Sequence, residues 1–201
     1  TTALSSILRL LLIFFSTPHA NEWSVDILEE DGVPVYKIGS GDITNTPFLK
    51  YVAKKNKPII LSTGMSTMED VERAVKAIKE EENEQLILLQ CTSDYPCSIQ
   101  DINLNIIPIL KNKFDTIVGF SDHTLRADTP SIAVALGAKV IEKHITLDRN
   151  MLGPDHKASL EPRELKEMVR LIHDTEIMLG SNEKKPTKSE KSLFLFSTSQ
   201  D

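Results

Sequence analysis

Cysteine is scarce: 201 residues contain only Cys91 and Cys97. One pair in a chain this long is no disulfide framework. Without a CxxC spacing or a second pair it makes no structural zinc site either, so two free thiols in a reducing cytoplasm are expected. Long hydrophobic runs are absent too. The longest, Leu10 to Phe15, has six residues, whereas a bilayer span needs about 20. It also falls short of the roughly 7–15 apolar residues of a secretory signal, and it reads as a buried strand. Positive charge is not in excess, with 29 acidic against 23 basic residues and a net charge of −6. The one basic cluster, Lys184, Lys185, Lys188 and Lys191, is interrupted by Glu183 and Glu190. Nucleic-acid binding by bulk charge is therefore not expected, although a local site for a small anion is compatible with overall acidity. No GxGxxG, GxxxxGK[ST] or GxSxG occurs, which leaves dinucleotide, P-loop and nucleophile-elbow chemistry without support.

What is present is the composition of a globular domain, 40% hydrophobic and 26% charged, and one pattern repeated along it. A short apolar, β-branched run ends in hydroxyl, Gly or His residues, and a helical pattern follows. Six such runs end at Thr17, Ser40, Ser62, Ser93, Ser121 and His144, separated by 23, 22, 31, 28 and 23 residues. Each interval is the length of a strand, a helix and two loops. Runs so short and so continuously apolar read as strands of a parallel sheet, in either a doubly wound or a (β/α)8 arrangement. Between them, residues 68–82 place Val71, Ala74, Val75 and Ile78 on one helical face behind a Thr67/Asp70 capping box. Shorter helices are expected over 24–30, 47–55, 104–111 and 130–136. Pro162 opens a long last helix that Gly180 stops.

In either arrangement the strand C-termini gather on one face, which carries the site. His123 and His144 end consecutive strands, where two imidazoles can share a divalent metal; the same spacing suits two hydrogen-bonded rim histidines. Asp122 and Glu142 are candidate ligands or orienters of ligands. Lys37 shares a strand face with Val35 and Gly39, and an inward lysine needs an anion, either a bound ligand or an acid such as Glu142. Thr17, Ser40, Ser62, Ser93 and Ser121 surround it with hydroxyls, and Gly39, Gly41 and Gly64 leave backbone N–H groups approachable. That is the chemistry of a phosphate site, while each serine alone also reads as a helix N-cap. Cys91 has no evident base partner and is expected to pack in its strand. His19, His156 and His173 are expected to serve no site.

The strand ends together, KIGSGD (37–42), ILSTGM (60–65), CTSDYP (91–96), GFSDHT (119–124), IEKH (141–144) and GPDHKASLEP (153–162), resemble the sialic acid synthases, collinearly from about Phe14 to Glu190. The resemblance implies a (β/α)8 TIM barrel followed by an antifreeze-like domain, in a cytoplasmic homodimer. It implies condensation of phosphoenolpyruvate with N-acetylmannosamine or a related hexose to N-acetylneuraminate or another nonulosonic acid, with release of phosphate. His123 and His144 match the metal ligands, for Mn²⁺ or Mg²⁺. Thr17, Lys37, Ser40, Ser62, Ser93 and Ser121 match positions that hold phosphoenolpyruvate, and Asp42, Tyr95 and Asp155 match positions that contact the sugar. Some members carry Glu at Asp42 and Asn at Ser93. Legionaminic or pseudaminic acid synthesis is the neighbouring alternative.

On this reading the run Leu10–Thr17 is the third barrel strand, so residues 9–180 form an incomplete barrel of six strands with the first two β/α units missing. Residues 181–201 form a linker and an unassigned tail without the antifreeze-like domain. Six strands cannot close an eight-strand barrel. The chain alone is then expected to be inactive and prone to association, and a non-catalytic fragment is the second alternative.

Overall fold

A computed structural model describes residues 21–191. The chain runs α1 (Glu22–Glu30), β1 (Tyr36–Ile38), α2 (Thr46–Ala53), β2 (Ile59–Ser62), α3 (Met68–Lys79), β3 (Leu86–Cys91), α4 (Ile106–Phe114), β4 (Ile117–Asp122), α5 (Thr129–Ala135), β5 (Val140–Lys143) and α6 (Pro162–Leu179). All strand pairs are parallel, and their order across the sheet is β1-β2-β3-β4-β5. A doubly wound sheet reverses its strand order at a switch point. This one never reverses, which is the order of a barrel wall. Five strands are present among the described residues where six are expected, because the run Leu10–Thr17 lies outside them, as does His19.

The helices form where local chemistry starts and stops them. Thr67 and Asp70 close a capping box on α3, each accepting the other's backbone N–H. Glu161 and Glu164 do the same for α6, with Pro162 in its first turn, where a missing N–H costs nothing. The α6 helix ends at Gly180, whose φ of 59° favours glycine.

Strand register decides what each face carries. Lys37 pairs with Ile60, Ile60 with Ile87, Ile87 with Ile117, and Gly119 with Val140. Because side chains alternate along a strand, one face carries Tyr36, Ile38, Ile59, Leu61, Leu86, Leu88, Val118 and Phe120. All of these are buried in a single apolar cluster with Leu49, Val52, Val71, Ile78, Ile107 and Leu110 from the helices. Each large side chain there contributes about 1.5–3 kcal/mol of burial, so the stabilising core is the sheet–helix layer. The opposite face carries Lys37, Ser62, Cys91, Ser121 and Glu142, with Leu89 and Ile60 beneath them. At its far end Ile117 remains 51% exposed. The gap in the pleat at Gly119 is required, since a Cβ there would come within 2.5 Å of Leu89 Cδ2 and 2.4 Å of the Val140 carbonyl.

Candidate active site

The polar face begins at β1. Lys37 lies among inward side chains, and its Nζ donates to Ser62 Oγ at 2.9 Å and to the Ile38 carbonyl at 3.1 Å. Glu142 Oε2 is 3.6 Å away. Glu142 Oε1 in turn accepts from Ser121 Oγ at 2.7 Å, and Ser121 Oγ lies 3.5 Å from His123 Nε2. Ser62, Lys37, Glu142, Ser121 and His123 therefore form one polar chain across four strands. The inward lysine has its anion, and it is Glu142.

A second cluster stands beside it. Beyond β1 comes a 3-10 turn, Ser40–Asp42. Ser40 Oγ accepts from the Gly64 N–H at 2.9 Å and contacts Cys91 Sγ at 3.6 Å. A Cβ on Gly64 would lie 2.4 Å from Ser93 Oγ, 2.7 Å from Ser40 Oγ and 3.2 Å from Cys91 Sγ. Only glycine lets these three side chains converge, and that convergence brings two hydroxyls to a common point.

The His123 and His144 rings lie 5.4 Å apart, centroid to centroid. His123 Nδ1 is 2.7 Å from the Thr92 carbonyl. A carbonyl only accepts, so Nδ1 carries the proton, and Nε2 faces Ser121 Oγ on the inner face. Tyr95 leans on both rings, at 4.1 Å from His123 and 5.6 Å from His144. Asp155 is close enough to act electrostatically on Tyr95 and His144. The imidazole of His144 is held below its ordinary pKa, by burial first and by His123 second, which keeps it neutral.

Of the expected site residues, Lys37, Ser40, Ser62, Ser93, Tyr95, Ser121, His123 and His144 lie together, Asp155 acts electrostatically on Tyr95 and His144, and Asp42 ends the 3-10 turn that Ser40 opens. Thr17 lies outside the described residues. Two expectations are corrected. Asp122 is on the other face of the sheet, paired with Lys143 and turned away from both imidazoles, so it is not a ligand to an ion between them. Cys91 does have a partner. Burial alone would raise its thiol, but hydrogen bonding to His123 and Ser40 carries it below its ordinary value. Burial likewise would lower His123, and hydrogen bonding to Cys91 and to the Thr92 carbonyl carries it above. Register decides this: Cys91 stands opposite Ser121 in the ladder, two residues before His123. His156 bonds Thr146 Oγ1, and His173 pairs with Glu176 on α6, both outside the site.

Among the described residues no three His, Cys, Asp or Glu side chains are grouped to hold an ion. The two imidazoles do suit one. Their spacing lets both face a common point, and a ring nitrogen tied to a backbone carbonyl is the usual arrangement of a metal-binding histidine. Such an ion would take its remaining ligands from water or substrate. No helix among the described residues is long and apolar enough to cross a membrane.

The family model described as the NeuB family matches residues 5–184. The chain is 45% identical over 191 residues to N,N'-diacetyllegionaminic acid synthase of Legionella pneumophila, covering 93% of this chain and 54% of that protein. It is 44% identical over 177 residues to the human N-acetylneuraminate-9-phosphate synthase, covering 88% and 48%. The chain thus spans about half the length of these curated relatives. Its fold superposes on the crystal structure of the N-acetylneuraminic acid (sialic acid) synthetase of Leptospira borgpetersenii in complex with citrate. The TM-score is 0.80 at 37% identity, over 88% of this chain and 61% of that one.

Proposed function

Because the chain belongs to the NeuB family, we propose that its strand-end site serves the condensation of phosphoenolpyruvate with N-acetylmannosamine or a related hexose, forming a nonulosonic acid and releasing phosphate. The observation that carries this reading is the convergence of Lys37, four serine hydroxyls and two imidazoles on one face. A cation and hydroxyl donors suit a phosphate and a carboxylate, whose charge they offset through the reaction. Glu142 holds Lys37 in place, so the anionic substrate meets a lysine already aimed inward. The Gly64 corner brings Ser40 and Ser93 to bear on the same anion.

His123 and His144 would hold a divalent metal, Mn²⁺ or Mg²⁺, which supplies Lewis-acid polarisation of the acceptor aldehyde when bound. In the reaction a bond forms between C3 of phosphoenolpyruvate and the aldehyde carbon, water adds at C2, and phosphate leaves. Tyr95, packed on both imidazoles, Asp42 and Asp155 face the acceptor in this reading and set which hexose is taken. The names of the two relatives divide over the product, and acceptor choice separates sialic from legionaminic or pseudaminic chemistry. The cytoplasm and the homodimer belong to the same proposal, as does the barrel of eight strands that a sheet with this order would complete.

His123→Ala in the full-length protein tests it. Loss of both Mn²⁺ loading and phosphate release, in a variant with unchanged circular dichroism, is expected. Retention of both overturns the ligand assignment. Mass spectrometry of products from N-acetylmannosamine and from a 2,4-diacetamido hexose identifies the acceptor.

A further inference from the structure

Behind the two imidazoles, on the opposite face of the sheet, lies a buried ion pair that no step of the proposed reaction uses. Asp122 sits between Ser121 and His123, and Lys143 between Glu142 and His144. The two are register partners across β4 and β5. Their side chains are 0% and 3% exposed, and Nζ lies 2.7 Å from Asp122 Oδ2. Asp122 Oδ1 accepts the Thr124 N–H at 2.8 Å. Lys143 Nζ also donates to the Thr124 carbonyl, and lies 3.4 Å from both Thr124 Oγ1 and the Arg126 carbonyl. Every charged atom of the pair is thereby satisfied.

A buried pair of this kind is a poor way to gain stability, since an apolar pair of similar volume is often as good or better. Its placement suggests another use. On the inner face Ser121 bonds Glu142; one residue further on, on the outer face, Asp122 bonds Lys143; and one residue beyond that stand His123 and His144. The ladder is closed by consecutive polar links on alternate faces, and the outer link also turns the chain after β4 back onto β5 through Thr124 and Arg126.

We propose that Asp122 and Lys143 are positioning residues that fix the separation and orientation of the two imidazoles, and so the affinity of the site for a divalent cation. The inference rests on the reading of His123 and His144 as metal ligands.

The test uses the full-length protein carrying Asp122→Asn with Lys143→Met, which leaves no buried charge and keeps an acceptor for Thr124, and a second variant, Asp122→Asn with Lys143→Gln, which restores a cross-strand hydrogen bond. Mn²⁺ affinity is read from the free-ion electron paramagnetic resonance signal. The metal-free histidine rings are followed by ¹⁵N–¹H NMR, and melting temperature is recorded beside both. The expected result is affinity about 10- to 100-fold weaker in the methionine variant, shifted His123 and His144 ring signals, and recovery of both in the glutamine variant. Wild-type affinity with unshifted rings in the methionine variant overturns the proposal. So does a loss in both variants that follows melting temperature alone. His123→Ala serves as the reference. If it leaves Mn²⁺ affinity intact, the ligand reading fails, and the positioning role is then decided by the ring signals alone: shifted supports it, unshifted overturns it.

Discussion

Replacing Gly64 by alanine is the sharpest perturbation of the proposed anion site. The added methyl would stand 2.4 Å from Ser93 Oγ and 2.7 Å from Ser40 Oγ, closer than any stable contact. Both obstacles are hydroxyls, and each can turn about its χ1 bond, so the fold can absorb the change. Ser40 would lose its 2.9 Å bond from the Gly64 N–H in doing so, a cost of about 1 kcal/mol for an ordinary hydrogen bond. The site has no such escape. At least one of the two hydroxyls must leave the point where they converge, and a hydrogen bond to a charged group is worth about 1.5–3 kcal/mol. Affinity for phosphoenolpyruvate is therefore expected to fall about 10- to 100-fold, at roughly 1.4 kcal/mol per factor of ten. Isothermal titration of the full-length protein with phosphoenolpyruvate measures the loss directly, and a thermal melt measures the accompanying destabilisation. Unchanged affinity in a folded Gly64→Ala protein would refute the assignment of Ser40 and Ser93 to the phosphate. A collapse in melting temperature with no folded protein left would refute the claim that the two hydroxyls can turn aside.

Glu164 caps α6 and pairs with Arg149, and the pairing, ahead of its hydrogen bond to the Glu161 backbone, lowers its pKa from 4.5. A lowered folded-state pKa contributes stability that is present above 4.5 and lost as pH falls through the folded value. Glu164→Gln keeps the acceptor of the cap but removes the charge paired with Arg149, and is therefore expected to cost up to about 1 kcal/mol at pH 7 and much less at pH 3, as urea melts at the two pH values will show; equal losses at both would contradict the linkage. Among the described residues β1 and β5 are each paired on one side only, and Ile117 stands half-exposed on the inner face. Unpaired edges beside exposed apolar surface invite association, so the 201-residue chain by itself is expected to run as oligomers in analytical ultracentrifugation and to release no phosphate. A monodisperse, active monomer would contradict this.

The sequence by itself determined the units and their ends. Apolar runs of strand length, the Thr67/Asp70 box, Pro162 and Gly180 act within a few residues of one another, so local chemistry is enough to place β1 to β5, α3 and α6. The same locality put Lys37, Ser40, Ser62, Ser93, Ser121, His123 and His144 at strand ends, and parallel strands bring their ends together. Tertiary structure alone decided which of these residues meet. Ser121 and Glu142 are 21 residues apart, and Ser40 and Cys91 are 51 apart; whether such pairs touch depends on register, and a slip of one residue sends every side chain to the other face. For that reason Glu142 joins the site while Asp122, equally acidic and just as near a histidine in the chain, is turned behind it. It is also why Cys91, unremarkable in its strand, stands against His123. Strand order settled the remaining choice: a doubly wound sheet and a barrel wall share the same repeating units, and only the unreversed sequence of five paired strands separates them.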